Sequence, residues 1–107
     1  LMATVNDAFV EELMGFVMLA GDARSSAMEG IKIAKEHDFE KAEALLDNAN
    51  KAMLDAHHAH AKLLARDAQG ELPLCLLLIH AEDQLMAAST VIDLASEIIE
   101  LHKAIQG

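Results

Sequence analysis

The chain has 107 residues, of which 53% are hydrophobic and only 3% aromatic, and its formal net charge is −10. This length suits a single domain covering residues 1–107. The surplus of acids excludes a nucleic-acid surface, which depends on clustered Lys and Arg, and it favours a basic protein partner. The single cysteine, Cys75, excludes an internal disulfide. No apolar run approaches membrane-spanning length, so we expect a soluble cytoplasmic protein.

Helical periodicity of the apolar residues predicts a first helix from Asn6 or Asp7 to about His37. Asp38 then provides an N-cap for a second helix, because its side chain can accept a hydrogen bond from the first free backbone amides. The second helix ends in the segment DAQGELP, where Gly70 is the expected C-terminal cap. The scarcity of aromatic and β-branched residues agrees with an all-α protein.

The third helix is predicted from about Leu74 to Ala104, with Pro73 in its first turn. Each helix has about 30 residues and is therefore about 45 Å long. The two connections are short, so neighbouring helices run antiparallel, and the sequence predicts an up-down-up bundle of three helices.

The start of the third helix, Leu74 to Ile79, is apolar on every side. A bundle of three helices has too few partners to cover such a helix, and no Lys or Arg occurs between Arg66 and Lys103. We therefore predict that the third helix forms the centre of a homo-oligomer, with Leu77 and Leu78 in the interface between chains.

His80 and Asp83 follow this apolar run and lie about 60° apart on one face of the third helix. Two interpretations fit the spacing. His80 is either a half-buried histidine satisfied by a nearby acid, or a reactive histidine in an apolar cleft. The spacing alone does not choose between them.

A second concentration of histidines occurs in the segment DAHHAHAKLL of the second helix. His57 and His60 are three positions apart and face one side of the helix, with Asp55 or His58 nearby. They are candidate metal ligands, but the segment lacks the cysteines of structural zinc sites and an obvious fourth ligand. A solvated polar face is the alternative.

Four ordered blocks resemble the lactose/cellobiose-specific IIA components of the bacterial phosphoenolpyruvate-dependent sugar phosphotransferase system. The blocks are AGDARSSAMEGIKIAKEHDFEKAEALL, DAHHAHAKLLARDAQGE, LLLIHAEDQLM and DLASEIIELHK. Family members typically read AGxARS, GDFxxA, AHxxQT, HxQDHLM and ELIELxK at these places. The resemblance covers nearly the whole chain, and its specificity comes from the order and separation of the blocks.

The resemblance implies three-helix subunits that assemble as a nine-helix homotrimer. It implies that His80, with its tele nitrogen as the candidate atom, accepts a phosphoryl group from phospho-HPr and passes it to a cysteine of IIB. The transfer would serve the uptake of a β-glucoside or a disaccharide of the lactose, cellobiose or chitobiose type. It also implies that Asp83 from three chains meets at the threefold axis and binds a divalent cation, for which Mg²⁺ suits carboxylate ligands.

The chain departs from the family pattern around the implied acceptor. Glu82 and Gln84 replace the usual Gln and His of HxQDHLM, and His60 and Ala61 replace the usual Gln-Thr of AHxxQT. Glu82 adds negative charge beside a site that must receive a phosphoryl group, and we expect this charge to slow the transfer.

Two other classes of protein remain as alternatives. A histidine phosphotransfer domain of a two-component relay is also small, acidic and helical, but it usually carries Lys or Arg near its histidine and forms a four-helix bundle in one chain. The second alternative is a non-enzymatic helical interaction or metal-storage module, in which His80 only packs.

Overall fold

The computed structural model describes the backbone of residues 4–106 and the side chains of residues 4–105. Three helices follow one another, α1 (Asp7–Lys35), α2 (Phe39–Ala68) and α3 (Leu76–Gln106). They lie side by side in a rod of 61 × 21 × 18 Å, which requires each helix to run back along its predecessor. The predicted all-α, up-down-up bundle is confirmed. None of the described helices is long and apolar enough to cross a membrane.

The helix ends follow from local hydrogen bonding. The Asn6 side chain accepts from the backbone N–H of Phe9 at 2.9 Å and begins α1, and Asp38 Oδ1 accepts from the N–H of Lys41 at 3.2 Å and begins α2. Each cap satisfies an amide that has no partner inside its helix. Gly70, with φ of 76°, ends α2 in the left-handed conformation, as the sequence predicted.

The turn between α1 and α2 places a histidine in a backbone conformation that favours glycine. His37 has φ of 67°, and its N–H donates to the carbonyl of Ala34 at 3.0 Å while the N–H of Asp38 donates to that of Ile33 at 3.4 Å. This is the hydrogen-bond pattern of a Schellman C-cap. The helix therefore ends at Lys35, slightly before the predicted end near His37.

The predicted start of the third helix is wrong by two residues. α3 begins at Leu76, so Pro73 precedes the helix and is not in its first turn. The connection extends because Leu72 and Cys75 reach back to pack, half-buried, against the apolar cluster that contains Phe9. The free energy gained by burying these side chains exceeds the free energy that two further residues of helix would contribute.

Small side chains bring the helices close together. Nine alanines of the core are at most 1% exposed, and most lie where two helices face one another. A Cβ added at Gly30 would lie 3.3 Å from the carbonyl oxygen of Ala42, so α1 and α2 are in near contact at this point. The Ser26 hydroxyl donates to the carbonyl of Leu45 at 2.7 Å and links the same two helices. This packing leaves the outward face of α3 uncovered by its own chain.

Candidate functional site

His80 lies in the second turn of α3 and is exposed. Neither interpretation of this residue from the sequence describes it fully, since the side chain is neither half-buried nor enclosed in a cleft. Among the described residues, no hydrogen bond joins it to Asp83 or to any other side chain. The imidazole therefore faces outward from the bundle, with both ring nitrogens available to a partner.

Asp83 is exposed on the same face as His80, one turn further along α3. Within residues 4–105, its carboxylate forms no ion pair. Ala87 and Thr90 continue this face, and both are exposed. The site therefore consists of one imidazole and one carboxylate on an open helix surface.

An exposed apolar stripe surrounds the two polar residues and continues along α3. Its members have 46–80% of their surface exposed in the single chain: Leu76, Ile79, Met86, Leu94, Leu101 and Ile105. Several large apolar side chains exposed along one side of a helix are typical of an interaction surface. The predicted uncovered face of α3 is present, but its composition differs from the prediction. Leu78 is buried in the core of its own chain and Leu77 is half-buried against it, so neither residue belongs to the stripe.

Glu82 lies on the opposite side of α3 from His80, turned towards α2. Its Oε1 is 2.6 Å from Nε2 of His60, and the exposed fractions of the two side chains are 35% and 13%. An ionised carboxylate only accepts hydrogen bonds, so the His60 ring donates through Nε2. The two residues that depart from the family's Gln in neighbouring blocks are thus in direct contact. Both departures are visible in the sequence, but their pairing was not predicted, although the shared replacement of Gln was a signal for it.

The histidines of α2 do not form a metal site in this chain. No group of three or more His, Cys, Asp or Glu side chains within residues 4–105 is placed to hold an ion. His60 is bonded to Glu82, and His58 is exposed. His57 lines a shallow groove between α2 and α3 that also contains Asp93. His57 and His58 therefore belong to a solvated face, whereas His60 is paired with Glu82 and fits neither alternative.

Arg66 lies two residues before the end of α2, near the end of the bundle where α3 begins. Its guanidinium donates to Glu12 Oε2 at 2.7 Å and joins α2 to α1. The hydrogen bond with Glu12 raises the pKa of Arg66, and the negative charges of Glu12 and Glu71 add to the effect. Arg66 is consequently a permanent cation already engaged by carboxylates, and it is not a free ligand for a phosphate.

The fold and this surface define a small helical protein that presents one free histidine at the edge of an apolar interaction face. Comparison with known proteins identifies the class. Residues 11–103 match the family "PTS system, Lactose/Cellobiose specific IIA subunit". The chain therefore belongs to the lactose/cellobiose-specific IIA subunits of the sugar phosphotransferase system. These are phosphotransferase components with a phosphohistidine intermediate.

Individual relatives support the same assignment. The chain is 42% identical over 95 residues to the PTS system lactose-specific EIIA component of Staphylococcus epidermidis, covering 86% of this chain and 91% of that protein. The crystal structure of the PTS cellobiose-specific enzyme IIA from Bacillus anthracis superposes with a TM-score of 0.88 and 36% identity, covering 96% of this chain and 94% of that one.

A third relative was solved together with a protein partner. It is the IIA(Chitobiose)–HPr complex of the Escherichia coli N,N'-diacetylchitobiose branch, with a TM-score of 0.80 and 37% identity, covering 91% of this chain and 95% of that one. The histidine phosphotransfer and interaction-module alternatives are therefore set aside in favour of the IIA family.

Proposed function

We propose that this IIA component receives its phosphoryl group from phospho-HPr on His80 and passes it to a cysteine of IIB. The observation that carries the proposal is the exposure of His80, with no side-chain partner within residues 4–105, in the block that resembles HxQDHLM. A phosphoryl acceptor must be reached by two different proteins in turn, so it has to stand on an open surface. His60, which contacts this block from α2, is already bonded to Glu82.

The chemistry requires only a ring nitrogen and in-line approach. The lone pair of a neutral His80 nitrogen attacks phosphorus, the N–P bond of phospho-HPr breaks, and its electron pair returns to the donor ring. In the second step the IIB thiolate attacks phosphorus, and the new N–P bond at His80 breaks in the same way. The residues of this chain hold the imidazole on a rigid helix and leave the approach path open.

The surroundings of His80 suit a docking partner. The Escherichia coli relative forms a complex with HPr, and we extend that partnership to this chain. The exposed Leu76 and Ile79 provide apolar contact area beside the histidine, while the net charge of −10 attracts a basic donor over longer distances. IIB, which takes the phosphoryl group next, would use the same exposed nitrogen. Both encounters take place in the cytoplasm under this proposal.

The apolar stripe on α3 supports assembly into a homotrimer. Leu94 and Leu101 lie more than ten residues beyond His80 and are 56% and 58% exposed, too far along the helix to serve a partner docked at the histidine alone. A second and third copy of α3 would cover them, giving nine helices around one axis. His80 would then stand at the edge of the seam between chains.

The divalent cation is a further part of the proposal, and it depends on the trimer. One chain contributes a single carboxylate, Asp83, and no cluster within residues 4–105 completes a coordination shell. Three exposed Asp83 carboxylates brought to one axis would repel one another strongly. A hard cation such as Mg²⁺ would relieve this repulsion and is suited to oxygen ligands. The proposed role of the cation is structural, and no step of the phosphoryl transfer uses it.

Incubation of the unmutated chain with phosphoenolpyruvate, enzyme I and HPr tests the central proposal. We expect one acid-labile, base-stable phosphate per chain, located on the peptide that contains His80. Omission of HPr should abolish the label. A chain that acquires no label in the complete mixture would contradict the proposed function. Transfer of the label to IIB proteins specific for lactose, cellobiose or chitobiose would identify the sugar.

A further inference from the structure

The bond between His60 and Glu82 crosses from α2 to α3 on the far side of α3 from the candidate phosphoryl acceptor. Nε2 of His60 and Oε1 of Glu82 are 2.6 Å apart, and the histidine side chain is only 13% exposed. Glu82 is two positions beyond His80, which places the two side chains about 160° apart around the helix. The bond therefore fixes the Glu82 carboxylate against α2, on the side of α3 that faces away from His80.

Within residues 4–105, the groove that Glu82 lines offers its carboxylate no other charged or hydrogen-bonding partner. The groove has a volume of about 260 Å³, and its lining is mainly leucine and isoleucine, including Leu63, Leu78 and Ile79. The only other charged residue in the lining is Asp67, a second acid. A half-buried carboxylate among apolar side chains is costly unless it is paired. Without the imidazole donor, Glu82 would leave the groove for water.

We propose that His60 is a positioning residue for phosphoryl transfer, acting by restraining the Glu82 carboxylate in the α2–α3 groove, away from the phosphoryl group on His80. This inference rests on the proposed function of His80. A phosphoryl group on histidine carries close to two negative charges, and a released Glu82 would lie on the order of 10 Å from it. The repulsion would disfavour the phosphorylated state and slow its formation.

The sequence pattern agrees with this role. The family typically has Gln at both positions, and this chain has an acid at one and its hydrogen-bond donor at the other. The carboxylate that Glu82 introduces into this block is therefore hydrogen-bonded directly by His60. The expectation that Glu82 slows the transfer holds, under this proposal, only when His60 is absent.

The test compares phosphoryl uptake from phospho-HPr by the unmutated chain, His60→Ala and His60→Ala/Glu82→Gln. At low ionic strength His60→Ala should lower the rate and the equilibrium fraction of phosphoprotein by about two- to fivefold. This loss should shrink at about 0.5 M salt, which screens charges. The double variant should recover the unmutated values to within about twofold, because it removes the released charge without restoring the bond.

Lys103→Gln provides the matched control. It removes the other ion pair between α3 and α2, with Glu43, at a site about 30 Å along α3 from Glu82. This variant should leave phosphoryl uptake unchanged, because the carboxylate it releases is remote from His80. Circular dichroism and gel filtration check that every variant retains the helices and the assembly of the unmutated chain.

Three results would overturn the inference while leaving the proposed function intact. They are a normal rate for His60→Ala, a double variant as slow as His60→Ala, and an equal loss for Lys103→Gln. A double variant as slow as His60→Ala would show that the bond matters because it holds α2 and α3 together. An equal loss for Lys103→Gln would indicate general loosening of the bundle. Failure of the proposed function is separate, since it would appear as an unmutated chain that takes up no phosphate.

Discussion

His80 and Glu82 are two residues apart on α3 and face opposite sides of the helix. His80 is exposed, whereas Glu82 is half-buried and bonded to His60 of α2. A single turn of helix thus carries both an imidazole that is available to partners and a carboxylate that is bonded within its own chain.

Replacement of the proposed acceptor should abolish phosphorylation without disturbing the fold. His80→Gln should retain full helical content, since an exposed side chain with no bond within residues 4–105 is removed, and should show no acid-labile phosphate after incubation with phospho-HPr. His58→Gln, which changes an exposed histidine on α2, is the control and should label fully. Full labelling of His80→Gln would move the acceptor to His57 or His60.

A charge on the α3 stripe should break the proposed trimer. Leu94→Glu would bury three carboxylates in an apolar interface, at a cost of several kcal/mol per trimer. Sedimentation equilibrium should then give the 11.5 kDa monomer, against three times this mass for the unmutated protein. Met18→Glu changes a residue of α1 that is 65% exposed and should leave the trimer intact. A monomeric unmutated protein would rule out the assembly.

The proposed metal role of Asp83 predicts a particular response to chelator. The unmutated trimer should contain one divalent ion and should unfold at a lower temperature after treatment with EDTA. Asp83→Leu replaces three repelling carboxylates by apolar groups, so its trimer should be at least as stable and indifferent to EDTA.

The alternative role for Asp83 is to orient the His80 ring, and metal analysis of the purified trimer distinguishes the two roles. If Asp83 instead orients His80, the Asp83→Leu variant should lose phosphoryl transfer while its response to chelator matches that of the unmutated protein. An unmutated trimer with no bound metal and no response to EDTA would contradict the ligand role.

The left-handed backbone of His37 predicts a stabilising substitution. A non-glycine residue at φ of 67° costs about 1 kcal/mol, a cost that glycine avoids. Contact between the rings of His37 and Phe39, whose centroids are 6.1 Å apart, would be lost. His37→Gly should therefore raise the free energy of unfolding by about 0.5–1 kcal/mol. Urea denaturation measures this change. His37→Ala keeps the strain, so it should not stabilise, and equal stabilisation by both variants would refute the explanation.

The sequence by itself was sufficient to predict the three helices, their order, the caps at Asp38 and Gly70, and the placement of His80 on the third helix. These features are local, since helical periodicity and capping depend on residues within one or two turns. The resemblance to the IIA family is likewise a property of ordered blocks along the chain.

Tertiary structure decided the features that depend on which helix faces which. The pairing of His60 with Glu82 joins residues 22 positions apart, and it depends on the register of α2 against α3. The start of α3 at Leu76 depends on burial of Leu72 and Cys75 against α1, which outweighs the preference of Pro73 for a first turn. The assignment of Leu78 to the core also required the structure, because the start of the third helix is apolar on every side and shows no face in its sequence until its neighbours are placed.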